Sequence, residues 1–156
     1  MDGMNTEEIE RISRRSGEIF SSGLFCAESV LLAIAEGKGI KSDVIPKIAT
    51  GFCSGMSRSC GLCGAVSGAI MAINFLYGRS SPDQPVDENY ALVRKMIRMF
   101  EETFGSTNCM QLTGCDLSTA RGRTAFKLKN LREQCRRYTE EATRMALTLI
   151  DGEPED

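Results

Sequence analysis

The stretch Cys60-Gly-Leu-Cys-Gly-Ala-Val-Ser-Gly-Ala-Ile-Met-Ala-Ile-Asn-Phe-Leu-Tyr77 contains no charged residue, and Gly78 extends the run by one. It is about long enough to cross a bilayer, which takes roughly 20 apolar residues. Yet it holds Gly61, Gly64, Gly68, Gly78, Ser67 and Asn74, its apolarity is modest, and the segments on either side have ordinary amphipathic patterns. These features predict the central helix of a soluble helical bundle over residues 60–77, not a membrane span.

On the N-terminal side, Asn5 or Thr6 followed by Glu7 and Glu8 reads as a capped helix start, with Ile9, Ile12, Ile19 and Phe20 as its buried stripe. A second helix starts near Leu24, carries Cys26, Val30, Leu31, Ile34 and Ala35 at helical spacing, and ends at Gly37 and Gly39. Ser42 or Asp43 caps a shorter third helix with Pro46 in its first turn. Residues 51–59, rich in glycine and serine, read as a loop.

On the C-terminal side, Gly78 to Pro85 is a turn. A helix then runs from Val86 to Phe104 and stops at Gly105. Ser106 caps a brief helix that Gly114 interrupts, and a last long helix runs from Ser118 or Thr124 to Ile150. No strand-like alternation and no internal repeat is visible. The expected fold is all-α, a single-domain bundle of about seven helices spanning residues 1–156, with residues 151–156 as a mobile acidic tail. Val66, Ile70, Ile73, Leu31, Ile34, Leu92, Met96 and Phe100 are its expected core.

At 156 residues the chain is long enough for one domain with a real core. A net charge of -2 argues against general nucleic-acid binding, which needs a basic excess. The informative numbers are seven cysteines and no histidine. Without histidine there is no Ser-His or Cys-His pair and no His-ligated haem or Cys-His zinc site, so any special chemistry falls to sulfur. Met1 to Arg15 is charged and lacks an apolar signal core, which predicts a reducing cytoplasmic setting where structural disulfides are the less common use of cysteine.

Cys26, Cys63 and Cys109 each fall in or beside the first turn of an expected helix, where free amides and the dipole favour a thiolate. A single cysteine so placed is more often a small buried hydrophobe. Cys60 and Cys63 form a Cys-x-x-Cys pair that serves either thiol exchange or half of a metal site. Gly64 and Gly68 share one helical face and would let another backbone approach closely. Arg58 before the helix would stabilise a thiolate or bound anion, or lie solvated in its loop.

Taken together, Phe25-Cys26-Ala27-Glu28-Ser29-Val30, Gly51-Phe52, Gly55-Met56, Cys63-Gly64-Ala65-Val66-Ser67-Gly68-Ala69, Phe104-Gly105-Ser106-Thr107-Asn108-Cys109 and Cys135 resemble the redox-active family known by its cysteine pattern as C_GCAxxG_C_C. The resemblance implies redox activity resting on four signature cysteines, here Cys26, Cys63, Cys109 and Cys135. It also implies an association with transporters. This chain departs from the pattern in its three further cysteines, Cys53, Cys60 and Cys115, so the Cys60-x-x-Cys63 pair reads as a local addition.

The reading favoured by these residues is a thiol-based redox protein that uses reversible cysteine oxidation or disulfide exchange. Cys63 is the expected nucleophile, with a depressed pKa, and Cys26, Cys109 or Cys135 its resolving partner. The alternative is a metal centre held by those four thiolates, an iron-sulfur cluster before zinc, with Cys53 or Cys60 as substitute ligands. A third reading is a non-catalytic helical interaction module. A redox partner and a homodimer are expected as partners. At least three of the four signature cysteines should line one pocket, with Cys53 and Cys60 at its rim and Cys115 apart.

Overall fold

The computed structural model describes residues 3–152. It has eight helices: α1 (Thr6–Ser21), α2 (Cys26–Gly37), α3 (Cys53–Arg58), α4 (Gly64–Tyr77), α5 (Asp87–Phe104), α6 (Cys109–Thr113), α7 (Ala120–Leu128) and α8 (Arg132–Asp151). A 3-10 helix spans Lys47–Phe52. Among the described residues there is no strand, only an isolated antiparallel bridge between Leu62 and Asn108. The fold is all-α, as the periodicities predict.

The main body consists of α1, α2, α4, α5 and α8. The helix α1 begins as its sequence dictates: Asn5 accepts the Glu8 amide, and the Glu8 carboxylate accepts the Asn5 amide in return. It lies along α8, where the Ser13 hydroxyl donates to the Glu140 carbonyl at 2.8 Å and Arg144 pairs with Glu10. The helix α4 is packed by α2, α5 and α8, and its Ala65, Val66, Ala69 and Ile73 are fully buried. An uncharged sequence is what a helix enclosed on three sides requires.

Of the expected core, Leu31, Ile34, Val66, Ile73, Met96 and Phe100 are buried, whereas Ile70 and Leu92 are only partly so. The central helix is shorter than 60–77, because Cys60 has φ 60° and Cys63 is the N-cap. The third expected helix is a turn followed by a 3-10 helix. Residues 54–58, expected as loop, wind left-handed: Ser54, Gly55, Met56, Ser57 and Arg58 all have φ between 57° and 66°. For residues with a Cβ that conformation costs about 1–2 kcal/mol each, so surrounding contacts must hold it. The long C-terminal helix is two helices, α7 and α8, separated at Asn130, whose φ of 50° breaks the right-handed path. These changes raise the helix count from seven to eight. Asp151, assigned to a mobile tail, ends α8 and pairs with Lys38; residues 153–156 lie outside the described residues.

No helix of the described residues is long and apolar enough to cross a membrane.

The packing of α2 on α4 depends on Gly68. A Cβ there would stand 2.7 Å from the Ala27 carbonyl oxygen and 2.9 Å from the Ala27 Cα, backbone atoms that cannot swing aside. Gly68→Ala should therefore unfold at lower urea than the parent even though alanine gains about 1 kcal/mol in helix propensity, because overpacking costs about 1–3 kcal/mol. An unchanged or raised urea midpoint would mean that the two helices are not in contact at this point.

Candidate functional site

The four signature cysteines come from four separate segments, and each sits at the start of a helix. Cys26 is the first residue of α2, Cys63 the N-cap of α4, Cys109 the first residue of α6, and Cys135 lies in the first turn of α8. The last is a consequence of the break at Asn130: sequence periodicity ran one helix through this region and left Cys135 in its interior.

Two backbone features bring these ends together. The Cys63 amide donates to the Thr107 carbonyl at 2.7 Å and the Cys109 amide to the Gly61 carbonyl at 2.9 Å. This short antiparallel bridge ties α4's start to α6's. Residues two apart along a bridged segment point to the same side, so Cys63 and Cys109 share a face of it. The Asn108 side chain reinforces the bridge by donating to the Cys60 carbonyl at 2.7 Å while its oxygen caps α6 by accepting from the Gln111 amide.

The second feature is glycine at contact points. A Cβ on Gly64 would stand 2.3 Å from the Cys26 sulfur and 3.0 Å from the Phe52 carbonyl oxygen. Cys26 Sγ therefore rests against the backbone of the residue next to Cys63. Gly55, with φ +65°, meets the Cys109 side chain, to whose Cβ an added Cβ would come within 2.5 Å. The left-handed turn thus brings a bare backbone against a signature cysteine.

Cys26, Cys63, Cys109 and Cys135 all line one cavity of about 510 Å³, and all seven cysteines are free thiols. The other three do not line it. Cys53, expected at the rim, is buried behind Cys26 and directs its thiol at the Glu28 carboxylate (3.5 Å) and the Ala49 carbonyl (3.7 Å). Cys60, also expected at the rim, donates to Asp116 Oδ1 at 3.1 Å. Cys115 is buried away from the cavity.

The acidity of Cys63 is opposite to the expectation from its helix position. Burial pushes its thiol up to about 12, and the amides of Ala65 and Val66, which pull the other way, do not compensate. Burial likewise raises Cys135 to about 12 and moves Cys109 upward. Cys53 is raised well above an ordinary thiol, first by the Cys26 sulfur as hydrogen-bond partner and then by burial. Hydrogen bonding between Cys60 and Asp116 raises the thiol and, after that from Ser118, lowers the carboxylate.

The metal reading is not favoured by this geometry. Among the described residues no three cysteine, aspartate or glutamate side chains are grouped so as to hold one metal ion. The four thiols line a cavity of about 510 Å³, and Cys53 and Cys60, the proposed substitute ligands, are engaged with Glu28 and Asp116.

Several residues of the site were not singled out from the sequence. Glu28 is buried at 8% exposure and accepts from the Phe25 amide (3.1 Å), Thr50 hydroxyl (2.9 Å) and Cys53 thiol. These partners offset the cost of burying a carboxylate. Its position two residues after Cys26, within the start of α2, was the available signal. Tyr138, one turn after Cys135, is buried at the cavity wall and donates to the Leu112 carbonyl at 3.3 Å. Arg123, Lys127 and Arg132 also line the cavity. In sequence they read as ordinary polar faces, because only the turn at Asn130 folds α7 over the site.

A family model described as "Putative redox-active protein (C_GCAxxG_C_C)" matches residues 24–149. An uncharacterized protein of Archaeoglobus fulgidus is 33% identical over 115 residues, covering 68% of this chain and 76% of its own. No solved structure matches.

Raised thiols make stability depend on pH. Cys63 and Cys135 lose their protons near 9.0 when unfolded and near 12 when folded, so above the unfolded value the unfolded chain binds fewer protons and the folded state loses stability as pH rises. Below about pH 8.5 that contribution is fully present. Urea midpoints of the parent should fall between about pH 8.5 and 10.5 more steeply than those of the Cys63→Ala/Cys135→Ala chain, by up to roughly 1.4 kcal/mol per pH unit for each thiol removed. Parallel pH profiles would contradict the assigned burial.

Proposed function

The chain belongs to the C_GCAxxG_C_C family, and from that premise we propose a thiol-disulfide redox protein in which cavity cysteines cycle between dithiol and disulfide. The observation that carries this reading is the convergence of Cys26, Cys63, Cys109 and Cys135 on a single cavity, as free thiols, from four separate helix starts. Residues serving only as small core hydrophobes have no reason to face a common void.

The roles follow from burial. Cys26 is partly exposed at the first position of a 12-residue helix, and it is the attacking residue of this proposal. Cys63, expected from the sequence to attack first, takes the resolving role because burial keeps it protonated at rest. The Cys26 thiolate attacks one sulfur of an incoming disulfide, whose other sulfur departs and takes up a proton. The Cys63 thiol then attacks Cys26 sulfur, passing its proton to the second departing thiolate. Two electrons leave the protein and one intramolecular disulfide forms. Cys109 and Cys135 stand at the same wall as alternative resolving partners. Domain organisation follows the same reading: one helical unit, with the site at the helix starts. The expected homodimer would draw on exposed Val44, Ile48 and Phe75, which line a second, apolar concavity.

Mild oxidation tests the proposal. One equivalent of diamide should remove two titratable thiols per chain, and dithiothreitol should restore both. Cys26→Ser should slow that loss by about tenfold or more, while Cys115→Ser, outside the cavity, should lose two thiols at the parental rate. A Cys26→Ser chain oxidised as fast as the parent would overturn the assignment.

A further inference from the structure

The cavity that holds the thiols has a one-signed charge. Arg58, Arg123, Lys127 and Arg132 line it, and no aspartate or glutamate does among the described residues. In a chain of net charge -2 this is a local concentration of positive charge, not a reflection of composition. None of the four belongs to an ion pair among the described residues.

Two of the cations are fixed in place. Arg132 donates from Nη2 to the Phe20 carbonyl at 3.2 Å, with its guanidinium 5.1 Å from the Phe20 ring centre and 5.7 Å from that of Phe25. Arg123 donates from Nη1 to the Leu117 carbonyl at 2.9 Å. Fixed guanidiniums present donors in a planar fork matched to carboxylates. Arg58 and Lys127 complete the ring from α3 and α7 and are exposed. Phe20, Phe25, Phe126 and Tyr138 supply apolar wall. A volume of about 510 Å³ lies within the usual range for small-molecule sites.

We infer that the substrate of this site is a small organic disulfide bearing carboxylate groups, whose carboxylates are held by the four cations while its sulfurs face Cys26. This deepens the thiol-disulfide reading and rests on it. The balance is that of the exchange above: the substrate accepts two electrons and two protons and leaves as two carboxylate-bearing thiols, and the protein keeps one disulfide. The carboxylates take no part in the bond changes; they set binding and register.

The test compares three disulfides on the reduced full chain: dianionic 5,5′-dithiobis(2-nitrobenzoate), neutral bis(2-hydroxyethyl) disulfide and dicationic cystamine. Each rate is divided by the rate of the same disulfide with free 2-mercaptoethanol. The dianion should be favoured over the neutral probe by about tenfold or more, and cystamine disfavoured. Raising salt from about 20 to 300 mM should shrink the preference. Arg58→Glu/Lys127→Glu should reduce it by about tenfold, and Lys41→Glu, exposed beyond the C-terminal end of α2 and outside the cavity lining, should leave it intact. Calorimetric titration with glutathione sulfonate, an anion with no disulfide to exchange, reads the anion site separately. Reaction without charge preference overturns this inference and leaves thiol exchange standing. Failure to react with any disulfide, with glutathione sulfonate still bound and released by Arg58→Glu/Lys127→Glu, would overturn the thiol-disulfide reading instead, and absence of that binding overturns the anion site.

Discussion

The site depends on the close approach of α2 and α4. Gly64 and Gly68, four residues apart on one face of α4, leave room where a side chain would strike Cys26 Sγ, the Phe52 carbonyl or the Ala27 backbone. Through this contact the first turn of α2 reaches the N-cap of α4. The short bridge between residues 61–63 and 107–109 then adds the start of α6, and the turn at Asn130 adds the start of α8. Gly64 and Gly68 thus act first on packing and only through packing on chemistry.

Magnitudes decide how the thiols behave in that setting. A helix N-terminus stabilises a nearby anion by about 0.3–1 kcal/mol, and up to ~2 when partly buried. Moving Cys63 from 9.0 to about 12 corresponds to roughly 4 kcal/mol in the other direction. Burial wins, and Cys63, Cys109 and Cys135 rest as protonated thiols although each begins a helix. The proposed order of attack follows from that burial, because desolvation is what holds Cys63, Cys109 and Cys135 in the protonated form.

Much of this was legible in the chain itself. The helix starts at Asn5 and Glu8, the stops at Gly37 and Gly105, and the enclosed nature of the uncharged segment follow from local rules, and the signature cysteines from their motifs. What was not legible is non-local. Nothing in Ser54-Gly55-Met56-Ser57-Arg58 announces five successive left-handed residues, since that conformation is locally unfavourable and held by its surroundings. Asn130 was one polar residue in a helical pattern until its φ of 50° divided it. The helix-position argument for Cys63 failed because desolvation cannot be read from spacing. The cationic wall was invisible because Arg58, Arg123, Lys127 and Arg132 meet only after α7 folds across the cavity.

The central claim is that cysteines distant in sequence, not the neighbouring Cys60-x-x-Cys63 pair, share one redox site. Its most direct test is to map the disulfide formed when the native reduced chain is oxidised with a limiting disulfide. Free thiols are blocked at low pH, the chain is cleaved, and the linked peptides are identified by mass spectrometry. The account predicts a link from Cys26 to Cys63, or to Cys109 or Cys135, as the first product. A first product joining Cys60 to Cys63, or lacking Cys26 altogether, would contradict it.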